Sequence, residues 1–339
     1  MRTCVVGILA VLALAGAGLL WPGMTARADG LFFSTKPLPP VPVPGNNPQT
    51  EAKVLLGKQL YFDKRLSADG TVSCASCHDP KAGWADPRPV SEGVGGAKGG
   101  RNSPTVLNTA FNRLQFWDGR APTLEAQAVG PIQNPVEMKM TLPACIACIE
   151  GIAGYAAQFR QVFGTGPTEE TIGKAIAAFE RTVISANSAF DRYMAGDRKA
   201  MSPSAVRGMV VFNGHGHCSA CHSGPNFSDS NFHNLGIGMK VANPDVGRYA
   251  ETKLAKDYGA FKTPTLRSIA LTAPYLHDGQ TKTLEEVVEI YDRGGEPNAH
   301  LDPLMVPLNL TRREKADLVE FLKALTGEDL GITAPPLPK

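Results

Sequence analysis

The sequence predicts a mostly α-helical protein built as two tandem domains of one kind, joined by long loops. Three observations predict it: two C-x-x-C-H motifs far apart, a set of short motifs that recurs at a fixed offset, and helical rather than alternating apolar periodicity. The 339 residues suffice for two domains, and 43% hydrophobic against 19% charged residues is the composition of a chain with real cores. The net charge of +2, with no basic run, gives no footprint for nucleic acid.

The N-terminus reads as a signal peptide over residues 1–28. Arg2 gives a minimal positive start, Val5 to Trp21 is apolar, and Ala26-Arg27-Ala28 has the small-x-small form of a cleavage site. The competing reading is an uncleaved anchor, since the stretch approaches the roughly 17–25 residues of a spanning helix. Cys4 precedes the apolar stretch, the wrong place for a lipoprotein cysteine. With the signal cleaved, the expectation is a periplasmic protein that is not integral to the membrane.

Pro37 to Pro48 is a proline-rich entry strap, and residues 50–62 read as a helix. Thr168 opens another, with Glu169 and Glu170 in its first turn and Ile172, Ile176, Phe179 and Val183 on one face. Thr311 with Glu314 forms a capping box for a third, which Leu318, Phe321, Leu322 and Leu325 line and Gly327 ends.

Cys74-Ala-Ser-Cys77-His78 and Cys218-Ser-Ala-Cys221-His222 carry the attachment signature of c-type haem. Two thiols reach the two vinyl groups on one porphyrin edge, and the adjacent histidine offers a nitrogen to iron. Structural zinc would need further ligands near each motif, and a thioredoxin-like pair needs no adjacent histidine. Two covalently bound haem c groups are therefore expected, with Cys74, Cys77, His78, Cys218, Cys221 and His222 holding them. Cys145 and Cys148 form a third C-x-x-C, but Ile149 stands where the histidine would be. A disulfide is the plain expectation there in an oxidising compartment, with free thiols or a redox role as the alternatives.

The offset is 160 residues. Ser103-Pro104-Thr105, Trp117-Asp118-Gly119 and Thr123-Leu124-Glu125 recur as Thr263-Pro264-Thr265, His277-Asp278-Gly279 and Thr283-Leu284-Glu285. The haem histidines lie 144 apart, so the second copy has the longer stretch between haem and loop. The chain thus divides into two tandem cytochrome c-like haem domains with long loops, at 29–187 and 188–339.

The duplication sets Pro131 against Tyr291. If this position faces the iron, tyrosine can ligate it through oxygen and proline cannot. One haem is then open to a small oxidant, and the other stores and passes electrons. An ordinary packed tyrosine is the competing reading, and Met305, His300 and Met239 are rival ligands.

Gly57-Lys58-x-Leu60-Tyr61-Phe62-Asp63, Arg101-Asn102-Ser103-Pro104-Thr105, Gln115-Phe116-Trp117-Asp118-Gly119-Arg120 and Ala273-Pro274-Tyr275-Leu276-His277-Asp278-Gly279 resemble the bacterial di-haem cytochrome c peroxidases, and most closely their MauG branch. The likeness covers residues 50 to 328. It implies that Trp117 lies between the haems on the path of charge, and that Gln127 and Glu137 stand in the peroxide pocket beside the N-terminal haem. It also implies an interdomain calcium ion on Asn102 and the backbone carbonyls of Thr272 and Pro274, and places His277 near the domain interface.

Two departures from the peroxidases that are blocked at rest point to the MauG branch. Their blocking histidine comes from the loop that here reads Gly93-Val94-Gly95-Gly96, and their C-terminal haem takes a methionine where Tyr291 stands. The resemblance implies reaction with hydrogen peroxide, two oxidising equivalents shared across both haems, and oxidation of a partner protein in the periplasm. The alternatives are peroxide detoxification fed by a small cytochrome c or cupredoxin, and a non-catalytic electron carrier.

Overall fold

The computed structural model describes residues 37–339, and the expected signal peptide lies outside them. Helices α1 to α6 are Glu51–Phe62, Cys74–Cys77, Leu124–Gln133, Leu142–Glu150, Ala153–Phe163 and Glu169–Glu180. Helices α7 to α11 are Ala189–Met194, Pro203–Asn213, Tyr249–Thr252, Leu284–Asp292 and Arg312–Ala324. Two short antiparallel strands, β1 (Phe232–His233) and β2 (Phe261–Lys262), pair Phe232 with Lys262 and His233 with Phe261. Among the described residues, no single helix is long and apolar enough to cross a membrane.

The three expected helices form where their caps place them. Thr50 accepts from the Lys53 amide to open α1. Thr168 and Thr171 make a reciprocal box on α6, and Thr311 and Glu314 make one on α11. Helix α6 ends at Glu180, short of Val183, and α11 at Ala324, short of Gly327.

Two clusters of buried apolar residues hold the chain. The first runs from Leu56 to Val183 and the second from Phe190 to Leu325. Each buried Leu, Ile or Phe removes enough apolar surface from water to contribute about 1.5–3 kcal/mol. In the first cluster α1 crosses α6, and in the second α8 crosses α11. Both crossings are closed by a glycine. A Cβ on Gly57 would collide with the Ala175 carbonyl, and one on Gly208 with the Asp317 carbonyl.

The 160-residue repeat is visible in the backbone. Helices α3 and α10 begin at Leu124 and Leu284. The loops before them carry matched bridges, Gln115 to Ala121 and Tyr275 to Thr281. They also carry matched left-handed residues, at Phe116 and Leu276 and at Gly119 and Gly279. One feature breaks the tandem order. The C-terminal residues return to the first core: Gln59 Nε2 donates to the Pro336 carbonyl at 3.2 Å, Arg65 to that of Pro338 at 3.1 Å, and the Gly154 amide to that of Lys339 at 2.9 Å. The expected division at 187/188 did not include this return.

Candidate haem centres

Each C-x-x-C-H segment forms part of the wall of a cavity. Cys74 to Cys77 is one helical turn behind a Ser73–Ser76 capping box, and Cys218 begins a 3-10 turn. The amide of His78 donates to the Cys74 carbonyl at 3.0 Å, and that of His222 to Cys218 at 2.9 Å. These bonds fix each histidine at the end of its turn. Nδ1 of His78 lies 2.9 Å from the Pro104 carbonyl, and Nδ1 of His222 lies 3.0 Å from that of Phe227. A carbonyl oxygen only accepts, so Nδ1 carries the proton and Nε2 keeps its lone pair, as a metal-binding imidazole requires. Burial lowers the pKa of both histidines and favours the neutral ring. Both cysteines of each motif line the same cavity as its histidine. Two thiols and a neutral imidazole on one wall fit a covalently attached haem, and they do so twice.

The surroundings differ in one way that matters. The His78 cavity, about 430 Å³, is lined by Gln127, Pro131 and Glu137, and His78 is the only histidine among the described residues lining it. The His222 cavity, about 200 Å³, is lined by Tyr291. Pro131 sits within α3 and Tyr291 within α10, at equivalent places in the repeat. The Tyr291 hydroxyl has no hydrogen-bond partner among the described residues, and burial drives its pKa well above the usual tyrosine value. Of the rival ligands only Met305 lines this cavity; His300 instead lies 5.0 Å from the Tyr258 ring.

Glu137 is half-buried. Asn134 Nδ2 donates to its Oε1 at 2.6 Å, and burial raises its pKa despite that bond and the charge of Arg120. The glycine-rich loop that lacks a histidine packs against its backbone: Val94 donates to the Glu137 carbonyl at 2.8 Å, and a Cβ on Gly93 would collide with that same carbonyl. The loop therefore holds the Glu137 backbone, and Gly93 contributes to the cavity wall without a side chain.

Trp117, Asn102, Pro104 and Thr105 line both cavities and so form the wall between them. Trp117 Nε1 donates to the Asn102 carbonyl at 2.9 Å. Its repeat counterpart His277 meets it edge-on at 6.4 Å and stacks on Phe261 at 3.6 Å. Burial pulls the His277 pKa down to about 4, which leaves a neutral ring in this wall. Asn102, Thr272 and Pro274 share the His222 cavity. The Asn102 amide nitrogen donates to the Arg88 carbonyl at 3.1 Å.

Cys145 and Cys148 are unbridged in α4. Cys145 is buried in the first core, and the Cys148 thiol faces the Arg65 carbonyl at 3.5 Å. The expected disulfide is not formed.

Two residues of these cavities were not singled out from the sequence. Lys262 lies in the His222 cavity wall. Glu180 lies in the His78 cavity wall, 5% exposed, with an oxygen that has no partner. Burial pushes the Glu180 pKa up to about 8. A carboxyl whose folded pKa exceeds its unfolded value loses stability as pH rises from the unfolded pKa toward the folded one. Glu180→Gln removes that penalty and is expected to stabilise the holoprotein at pH 7 by as much as about 3 kcal/mol, with little change near pH 4. Thermal unfolding across pH 4 to 8 tests this. An identical pH slope for both proteins contradicts it.

Three comparisons bear on these centres. A family profile described as "Di-haem cytochrome c peroxidase" matches residues 51–199. The chain is 44% identical over 305 residues to the methylamine utilization protein MauG of Methylorubrum extorquens, covering 88% of this chain and 85% of that one. It is 39% identical to the cytochrome c551 peroxidase of Pseudomonas aeruginosa, covering 92% and 89%. Among solved structures, a MauG-like protein associated with microbial copper homeostasis superposes with a TM-score of 0.80 at 36% identity, over 86% of this chain and 94% of that one.

Proposed function

This chain belongs to the di-haem cytochrome c peroxidase and MauG family, and from that premise we propose that it is a MauG-like enzyme that oxidises a partner protein at the expense of hydrogen peroxide. Membership makes it a haem-dependent oxidoreductase with two haems and sets the electron-carrier alternative aside. The observation that carries the finer reading is the asymmetry of the cavities: Pro131 and no second histidine on one side, Tyr291 on the other.

When bound, the two haems supply iron that exchanges electrons with peroxide and with each other. The chain's own residues set what happens around them. His78 and His222 would each offer a neutral Nε2 to a haem iron, and the four motif cysteines would hold the haems covalently. Pro131 has no donor, so peroxide can reach the open side of the N-terminal site. Glu137 takes a proton from one peroxide oxygen and delivers it to the other as the bond between them breaks. Its raised pKa suits both halves of that transfer. Gln127 offers its amide to orient the peroxide.

Tyr291 would offer an oxygen ligand to a haem held at Cys218 and Cys221, and such a ligand would favour the oxidised state. Trp117, in the wall shared by both cavities, carries charge between the sites, and His277 packs against it. Asn102 with the Thr272 and Pro274 carbonyls would hold a calcium ion at the same wall. The domains divide near 187/188, and the protein works in the periplasm after export.

The ferric protein is expected to bind one cyanide per two haems, at the N-terminal site. Binding of none would mean that an unidentified ligand closes that site. A second reading, detoxification with electrons from a small cytochrome c or cupredoxin, draws support from the 39% identity to a cytochrome c551 peroxidase. Rapid steady-state turnover of peroxide with reduced cytochrome c would favour it over oxidation of a partner protein.

A further inference from the structure

Lys262 is a buried cation without an anion. It is 8% exposed. Its ammonium has neither an ion-pair nor a hydrogen-bond partner among the described residues, and burial alone pulls its pKa down to about 8, with no carboxylate opposing the shift. An ammonium taken out of water without a counter-charge is among the more expensive arrangements a protein can hold. The position is not a loose loop. Lys262 is in β2, pairs with Phe232, and its amide donates to the Trp117 carbonyl at 2.8 Å. The residue at the equivalent place in the first repeat is neutral Asn102, already engaged with the Arg88 carbonyl. The arginines lining the His78 cavity, Arg101 and Arg120, are held by Asp118 and Asp245. Among the described lysines and arginines lining the two cavities, Lys262 is the one without a carboxylate partner.

The missing anion has a source in the cofactor. Haem carries two propionate carboxylates, and a haem held at Cys218 and Cys221 would bring them into the cavity that Lys262 lines. We propose that Lys262 is the counter-charge for a propionate of the C-terminal haem, anchoring that haem edge to the strand that also holds the Trp117 backbone. The pair solves two desolvation problems with one contact. It also sets a property of the site: a fixed positive charge stabilises the reduced haem, opposing the pull of the Tyr291 oxygen toward the oxidised one. Lys262 is in this sense a positioning and tuning residue, and it touches no reacting atom.

The inference rests on haem being attached at Cys218 and Cys221. Mass spectrometry of the wild-type peptide tests that reading first, since a peptide without haem fails it and not the role of Lys262 alone. With haem present, Lys262→Met and Lys262→Arg are compared by spectroelectrochemical titration. Lys262→Met is expected to shift the reduction equilibrium of the C-terminal haem at least tenfold toward the oxidised form, 59 mV for one electron. Lys262→Arg is expected to stay close to wild type. If Lys262→Met loads haem poorly and Lys262→Arg restores loading, that also supports the pair. A fully loaded Lys262→Met protein with an unchanged C-terminal potential overturns it. Should both variants fail to load, the propionate bending band in the resonance Raman spectrum of the wild-type protein decides. Propionates of the C-terminal haem with no hydrogen-bonded component would then overturn the proposal.

Discussion

Glu137→Gln is expected to slow the reaction with hydrogen peroxide by about 10²- to 10⁴-fold, the usual worth of a positioned proton carrier. The substitution keeps the shape of the side chain and its contact with Asn134, so both haems should remain in place and cyanide binding should persist. What is lost is the group that accepts a proton from one oxygen and returns it to the other. The pH profile gives an independent check. Burial raises the Glu137 pKa, and the carboxyl must be ionised to accept the first proton. The wild-type rate should therefore rise with pH through a pKa above the ordinary carboxylate value, and that limb should vanish in the variant. Stopped-flow spectroscopy at several pH values reads both effects. A Glu137→Gln rate within twofold of wild type would remove Glu137 from the mechanism.

Tyr291→Met is expected to raise the reduction potential of the C-terminal haem by several hundred millivolts, within the roughly 0.8 V that axial ligands span. An anionic oxygen favours the oxidised metal, and a thioether favours the reduced one. The same change should confine the response to peroxide to one haem, because the second would no longer give up an electron at an accessible potential. Tyr291→Phe separates the possibilities for the sixth ligand. If Met305, the other candidate lining that cavity, is the ligand, Tyr291→Phe should leave the C-terminal spectrum and potential unchanged. If Tyr291 is the ligand, Tyr291→Phe should convert that haem to a form that binds a second cyanide.

The parts of this molecule legible in the sequence are those set by local chemistry or by repetition. The C-x-x-C-H spacing specifies its own turn, since the histidine amide bonds back to the first cysteine carbonyl in both copies. Thr168 and Thr311 mark helix starts because a hydroxyl at that position satisfies an amide the helix cannot. The 160-residue offset located Tyr291 opposite Pro131, and both line their cavities.

What stayed hidden depends on contacts between distant segments. Glu180 ends an amphipathic helix, where a glutamate ordinarily reads as solvent-facing, and the fold buries it in the wall of the His78 cavity. Lys262 precedes a Thr-Pro-Thr motif and reads as a surface cation until β2 is placed against Trp117. The return of the C-terminal residues to the first core has no local signal either, because a proline-rich segment encodes no partner. The Gly93 loop was noted for the histidine it lacks, whereas its contact with the Glu137 backbone emerged only from the fold.

The most direct test of the central claim is addition of one equivalent of hydrogen peroxide to the fully ferric protein, without reductant, while the visible and near-infrared spectrum is recorded. An open N-terminal site coupled to a Tyr291-ligated C-terminal site predicts a rapid change at both haems. No change until one haem has been reduced would contradict it. That result would mean that a ligand closes the first site, and that the protein works as a peroxidase that must be activated by reduction.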